Sequence, residues 1–211
     1  MSVARRAARL LWRFVRLELQ LYAALARWIA RRPAVPDGAT PWGYSRMVTP
    51  VMGLWIFGSA CELPLAHVLV PWHGVRLALL VVGVWGLVWM IGLLASLKVH
   101  PHLVDAAGLT IRYGTLARVT IPWTALAGLR VEDRDVDGFV RTLRTRETDH
   151  GTELCVPVND RVNVLLRLAE PLSVATPRGP VAATTIGIWV DEPRDFVAEN
   201  RARITDVGAP A

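Results

Sequence analysis

The sequence predicts a membrane α-helical hairpin carrying a small β-barrel or sandwich of about seven strands, closed by a C-terminal capping helix. Three observations predict it. Leu77 to Leu97 is a run of 21 residues with no charge and no proline, flanked by Arg76 and Lys98. At about 1.5 Å per residue it makes roughly 31 Å of helix, the thickness of a bilayer's hydrocarbon core. A second long apolar run, Met47 to Val70, precedes it across a turn at Pro71, Trp72, His73 and Gly74. Beyond His100 the hydrophobic period changes from helical to alternating.

The chain has 211 residues, is 53% hydrophobic and has a mean hydropathy of +0.34, too apolar for an ordinary soluble domain. Its net charge of +6 is concentrated at the front. Residues 1–46 hold nine Arg against Glu18 and Asp37, whereas residues 99–211 hold 13 Arg against 15 acids. A basic segment beside a membrane span has anionic lipid as its simplest partner, so the charge does not imply nucleic-acid binding. Cys61 and Cys155 stand far apart in different surroundings and are expected as reduced thiols. Arg13, Arg16 and Glu18 interrupt any uncharged core that a cleaved signal peptide would need.

Taken in order, residues 1–32 form a basic amphipathic helix. At 100° per residue, Arg5, Arg6, Arg9, Arg13, Arg16, Arg27 and Arg31 share an arc, with Leu11, Phe14, Val15, Tyr22, Leu25 and Ile29 roughly opposite and Glu18 alone spoiling the apolar face. Such a helix lies in the membrane interface with its arginines on lipid headgroups, or packs on a protein partner or the chain's own hairpin. Residues 33–46, with Pro33, Pro36, Gly38 and Pro41, form a Pro-rich linker. Trp42 and Tyr44 at its end suit the membrane boundary.

Residues 47–98 form the hairpin, with spans at 47–70 and 77–97. The first is the poorer span, since it contains Glu62, His67 and Pro64. Gly53, Gly58, Ser59 and Ala60 on one leg, with Gly83, Gly86 and Gly92 on the other, permit close approach. The arginine asymmetry predicts a multi-pass plasma-membrane protein with both termini cytoplasmic.

Residues 99–205 form the β domain, followed by a tail at 206–211. Leu109, Ile111 and Tyr113, then Val119 and Ile121, then Val162, Val164, Leu166 and Leu168, and finally Ile186, Ile188 and Val190 each line one face of a strand. Further strands are expected at 129–132, 140–144 and 153–158, with turns at Asp105 to Gly108, Gly114, Asp137-Gly138, His150-Gly151, Asn159-Asp160 and Arg178-Gly179-Pro180. Asp191 is positioned to cap a helix that has Pro193 and Asp195 in its first turn, runs to about Ile204 and lays Phe196 and Val197 on the sheet.

Several stretches carry a resemblance. They are Val104 to Gly114 (VDAAGLTIRYG), Ile121-Pro122-Trp123, Asn163 to Leu168 followed by Glu170-Pro171, and the closing Trp189 to Phe196. In this order behind a two-helix hairpin, the chain resembles the membrane-anchored pleckstrin-homology-like domain proteins of actinobacteria. The resemblance implies a split barrel capped by a helix. Eukaryotic relatives bind phosphoinositides through basic residues between the first two strands, whereas residues 113–118 here offer only Arg118, with Arg112 just before it.

Few constellations carry chemistry. Asp133-Arg134-Asp135-Val136-Asp137-Gly138 matches the first half of a calcium loop, but Arg144 stands at the twelfth position, where a carboxylate should close the site. An acidic turn is the expected reading. Glu62 and His67 are candidate intramembrane polar residues: a proton or metal site, or a carboxyl near the end of a span where water reaches it. His100 and His102 straddle Pro101 and read as a strand entry. Hydrolase, dinucleotide and phosphate-loop signatures are absent from the sequence. The expectation is a non-enzymatic protein with no cofactor and no metal, whose partners are membrane lipids and a protein partner or a second copy. The alternative is a lipid-sensing or membrane-shaping protein acting through the N-terminal arginines, and a third reading is transport or catalysis at Glu62 and His67.

Overall fold

The computed structural model describes residues 3–136, 142–149, 151–176 and 179–207. The chain divides into two compact units, one of residues 1–34 and 48–99 and the other of residues 35–47 and 100–211.

The first unit is helical. Helix α1, Val3–Ile29, ends where Arg31 takes a left-handed conformation (φ 54°). The Arg31 amide then bonds to the Trp28 carbonyl (3.0 Å) and the Arg32 amide to the Arg27 carbonyl (2.9 Å), a Schellman closure that satisfies the last carbonyls before Pro33. Helix α2, Val48–Leu69, runs through Pro64, and helix α3, His73–Val99, follows after three residues. Both are long and apolar enough to cross a membrane, with mean hydropathies of 1.4 and 2.5 in their most apolar windows. Small residues set the approach of the helices. A Cβ on Gly83 would collide with a Leu63 methyl, which brings α2 and α3 together. A Cβ on Gly92 would lie 3.3 Å from both the Cβ and the carbonyl oxygen of Leu21, which brings α1 against α3. Gly53, Gly58 and Gly86, expected in the same role, have nothing within 4 Å of where a Cβ would lie and carry no close approach.

The second unit contains nine described strands in two sheets, not about seven, and the sheets do not close into a barrel. The first sheet orders β1 (Thr40–Trp42), β2 (His102–Val104), β3 (Gly108–Tyr113) and β4 (Ala117–Pro122), all antiparallel. The second contains β5 (Leu126–Asp135), β6 (Arg144–Thr148), β7 (Gly151–Val156), β8 (Arg161–Thr176) and β9 (Gly179–Ile188), in the order β5-β8-β9-β7-β6. Its β7–β9 pair is parallel, whereas its other described pairs are antiparallel. Helix α4, Pro193–Val207, closes the chain with Phe196 and Val197 buried, as the apolar spacing predicted.

One core joins the sheets and α4: Ile111 and Ile121 come from the first sheet, Leu154, Leu166 and Ile188 from the second, and Phe196 from the helix. Its turns follow residue chemistry. Asp105 accepts from the Ala107 and Gly108 amides (2.8 and 3.0 Å), and Asn159 and Asp160 both take positive φ in the two-residue connection from Val158 to Arg161. The strand expected at 140–144 and the turn residues Asp137, Gly138, His150 and Arg178 fall wholly or partly outside the described residues.

The Pro-rich segment 33–46 is not a free linker. Thr40–Trp42 forms β1, with Trp42 opposite His102. Trp42 and Tyr44 are buried within this unit rather than left for a membrane boundary. Tyr44 stacks on His102 with ring centroids 4.5 Å apart, and its hydroxyl accepts the Gly114 amide at 2.6 Å. Asp191 accepts the Arg46 amide (3.0 Å) and its own amide donates to the Gly43 carbonyl (2.8 Å). The side chain expected to cap α4, which begins at Pro193, is a clasp for this returning segment.

Candidate functional site

Arg5, Arg9, Arg13, Arg16 and Arg27 are exposed on α1 and Arg31 is exposed in its closing turn, while the side chain of Arg6 lies outside the described residues. The docked face lies to one side of the arginines, while Leu11 and Ile29, directly opposite them, stay exposed. Leu21 and Ala24 are buried, and Phe14 meets Trp85 edge-on. Phe14 faces Trp85 and Leu21 faces Gly92, the same number of residues further along both helices, so α1 runs parallel to α3 and in step with it. Of the partners that the sequence left open, lipid surface, protein partner or the chain's own hairpin, this helix touches the hairpin.

Glu18, which looked like a flaw on the apolar face, is the polar centre of that contact. The Trp85 indole donates to its carboxylate at 2.7 Å, Tyr22 donates to it from one turn away, and Trp85 Nε1 also lies 3.1 Å from the Tyr22 hydroxyl. Sequence reasoning missed Trp85. The available signal was the Glu18–Tyr22 spacing on one face, but nothing local points to an indole 67 positions later.

Glu62 and His67 are both exposed on α2, and no hydrogen bond joins them among the described residues. Glu62 adjoins Leu63, which packs on Gly83, and Arg13 adjoins Phe14, which packs on Trp85. Both charges therefore stand level with the first half of α3's uncharged stretch.

The calcium-like sequence is neutralised internally. Asp133 and Asp135 lie at the end of β5, where Arg161 pairs with both (2.9 and 3.4 Å), while Asp137 and Gly138 lie outside the described residues. Arg144 is buried, donates to the Val136 carbonyl at 2.6 Å and pairs with Asp160. The nearby carboxylate Glu153, also buried, pairs with Arg134. No group of three or more His, Cys, Asp or Glu with metal-holding geometry occurs among the described residues. Cys155 is buried, and that burial pushes its thiol above the ordinary value, while Cys61 is exposed; both are free thiols.

His102 is structural. Its Nδ1 accepts the Arg112 amide (3.0 Å) and its Nε2 lies 3.0 Å from the Trp189 carbonyl, which fixes the neutral tautomer with the proton on Nε2. Burial pushes its pKa down to about 4.

The second unit holds a concavity where the β8–β9 pairing is interrupted. The β8–β9 register breaks between Arg167, opposite Thr185, and Leu172, opposite Ala183. Pro171 sits inside the break and has no amide to give a ladder. A groove of about 660 Å³ opens there, with Leu129 and Leu168 as apolar wall and Arg130, Arg167, Glu170, Thr184 and Thr185 as polar edges. Comparison with protein-family models, with curated proteins and with solved structures finds no match for this chain.

Proposed function

We propose that this is a non-enzymatic plasma-membrane protein whose α2–α3 hairpin crosses the bilayer and presents a cytoplasmic pleckstrin-homology-like domain to a protein or peptide partner. The two apolar helices support the anchor, and the two sheets with α4 packed on their core support the domain type. The cytoplasmic assignment rests on Arg27, Arg31, Arg32 and Lys98 at the end of α1 and α3. The observation that carries partner binding is the β8–β9 groove, where an apolar floor is bordered by both charge signs and by hydroxyls, a lining suited to an extended polypeptide.

A photo-reactive amino acid at Arg167 in the full-length protein, expressed in its native membrane, tests this. It should yield one dominant crosslinked protein, lost when Thr185→Trp fills the groove. Crosslinks that are unselective, or unchanged by Thr185→Trp, would count against the groove.

The alternative, a lipid-sensing helix lying on the membrane surface, gains from the exposure of the arginines. It also requires α1 to leave α3, because the docked helix carries Arg13 and Arg16 alongside the uncharged stretch. A disulfide between Phe14→Cys and Trp85→Cys in intact membranes separates the two: efficient closure supports docking, and none supports a surface helix.

A further inference from the structure

The end of α1 carries a second concavity, of about 510 Å³ and distinct from the β8–β9 groove. Four cations border it: Arg27, Arg31 and Arg32 from α1 and its closing turn, and Lys98 from the end of α3. None of the four has an ion pair or hydrogen-bonding side-chain partner among the described residues. Trp28, Ile29 and Val99 line the same hollow, with Ile29 74% exposed and Trp28 39% exposed. Four like charges around one hollow repel one another unless an anion sits among them. An apolar wall beside the cations asks for a ligand with an apolar part.

We propose that this hollow binds one anionic phospholipid, its phosphate held by Arg27, Arg31, Arg32 and Lys98 and its glycerol and upper acyl chain laid on Trp28 and Ile29. The proposal rests on the reading of α3 as a membrane span and adds a discrete site to it.

Three features favour a lipid over a soluble anion. Lys98 directly follows the 21 uncharged residues from Leu77 to Leu97, so the hollow lies at headgroup depth when α3 spans. Trp28 has the amphipathic ring that concentrates at that depth. The site is also preformed. The Schellman closure holds Arg31 and Arg32, and the Ala34 amide bonds to the Val99 carbonyl (2.9 Å), tying the end of α1 to the end of α3. A guanidinium holds phosphate oxygens through two parallel N–H donors, so three arginines fit a phosphate better than they would a point-like halide. The site is also separable from the rest of the arginine face, because Arg5, Arg9, Arg13 and Arg16 lie on earlier turns of α1.

The test uses the full-length protein in detergent with added lipid, read by native mass spectrometry. Phosphatidylglycerol should be retained at one molecule per chain and phosphatidylcholine of the same acyl chains should not. The combined variant Arg27→Gln, Arg31→Gln, Lys98→Gln should weaken retention tenfold or more, whereas Arg5→Gln, Arg9→Gln, Arg13→Gln on the same helix should leave it within twofold. Equal loss in both variants, or no loss in either, would overturn the site. Glycerol phosphate and inorganic phosphate form a separate arm: failure to displace the lipid supports the apolar wall, and full displacement at equal concentration would reassign the site to a soluble anion. Alkaline carbonate extraction distinguishes this from failure of the anchor, because a chain released by carbonate refutes the membrane reading, while one that stays bound yet shows no dependence on these cations refutes only this site.

Discussion

At the scale of single residues, the buried pair Tyr44 and His102 shows how polar side chains are made to fit an apolar core. Each heteroatom of the His102 ring has a backbone partner, and the ring face is covered by Tyr44. A second proton on the ring would sit on Nδ1, which already accepts the Arg112 amide. His102 therefore titrates near 4 when folded and near 6.5 when unfolded. Between those values the unfolded chain binds more protons. Stability is thus fully present above about pH 6.5 and falls as pH drops toward 4, by about 3 kcal/mol in all. Denaturation followed at pH 7 and pH 4.5 should show this slope, and His102→Gln, though less stable at pH 7, should lose that part of it. An unchanged slope in the variant would remove the histidine from the account. Neither partner was legible beforehand. The sequence marks His102 as a strand entry, but the amide it serves and the ring that covers it come from Arg112 and Tyr44, outside its local pattern.

At the scale of elements, legibility followed period. The uncharged helix α3, the arginine arc of α1, the two-residue turn at Asn159-Asp160 and the docking face of α4 were all readable, because each rests on local spacing or turn chemistry. Strand β1 was not, since three residues containing a proline have no period of their own and hold only by pairing with β2. The parallel β7–β9 pair was equally hidden, because hydrophobic alternation fixes a strand's face and leaves its neighbour open. Small residues gave a mixed result: Gly83 and Gly92 mark close approaches, whereas Gly53, Gly58 and Gly86 do not. Gly92 carries the sharper prediction. In Gly92→Leu the added side chain meets the Leu21 backbone and cannot be moved aside as a flexible tip could. Helix α1 should leave α3, raising tryptic cleavage after Arg16 and Arg27 in detergent by about tenfold. Cleavage at the parental rate would mean that Leu21 and Gly92 do not hold the helices together.

At the scale of the whole molecule, the β unit is discontinuous in sequence, because residues 35–47 belong to it and residues 48–99 do not. Trp42 and Tyr44 are both buried in that unit. A buried aromatic removes roughly 150–250 Å² from water, which at about 25 cal/mol per Å² is on the order of 5 kcal/mol each before entropy. Net stabilities are only about 5–15 kcal/mol. A fragment of residues 100–211 should therefore be unfolded or aggregated, and one in which residues 35–47 are joined to it by a flexible linker should fold cooperatively. Equal folding of the two by circular dichroism and thermal melting would show that β1 is dispensable.

The pairing of Trp42 with His102 also sets a parity rule. Two residues hydrogen-bonded in one sheet must lie on the same side of any barrier, so the chain between them crosses a bilayer an even number of times. If α3 crosses, α2 crosses too, despite Glu62, His67 and Pro64, and an orphan single span would leave β1 and β2 on opposite faces. If the two legs cross, the four-stranded sheet is a record of correct insertion. In that case its β1–β2 pair forms only once residue 104 has left the ribosome and the second leg has returned to the starting side, and the sheet is complete only with β4 at Pro122.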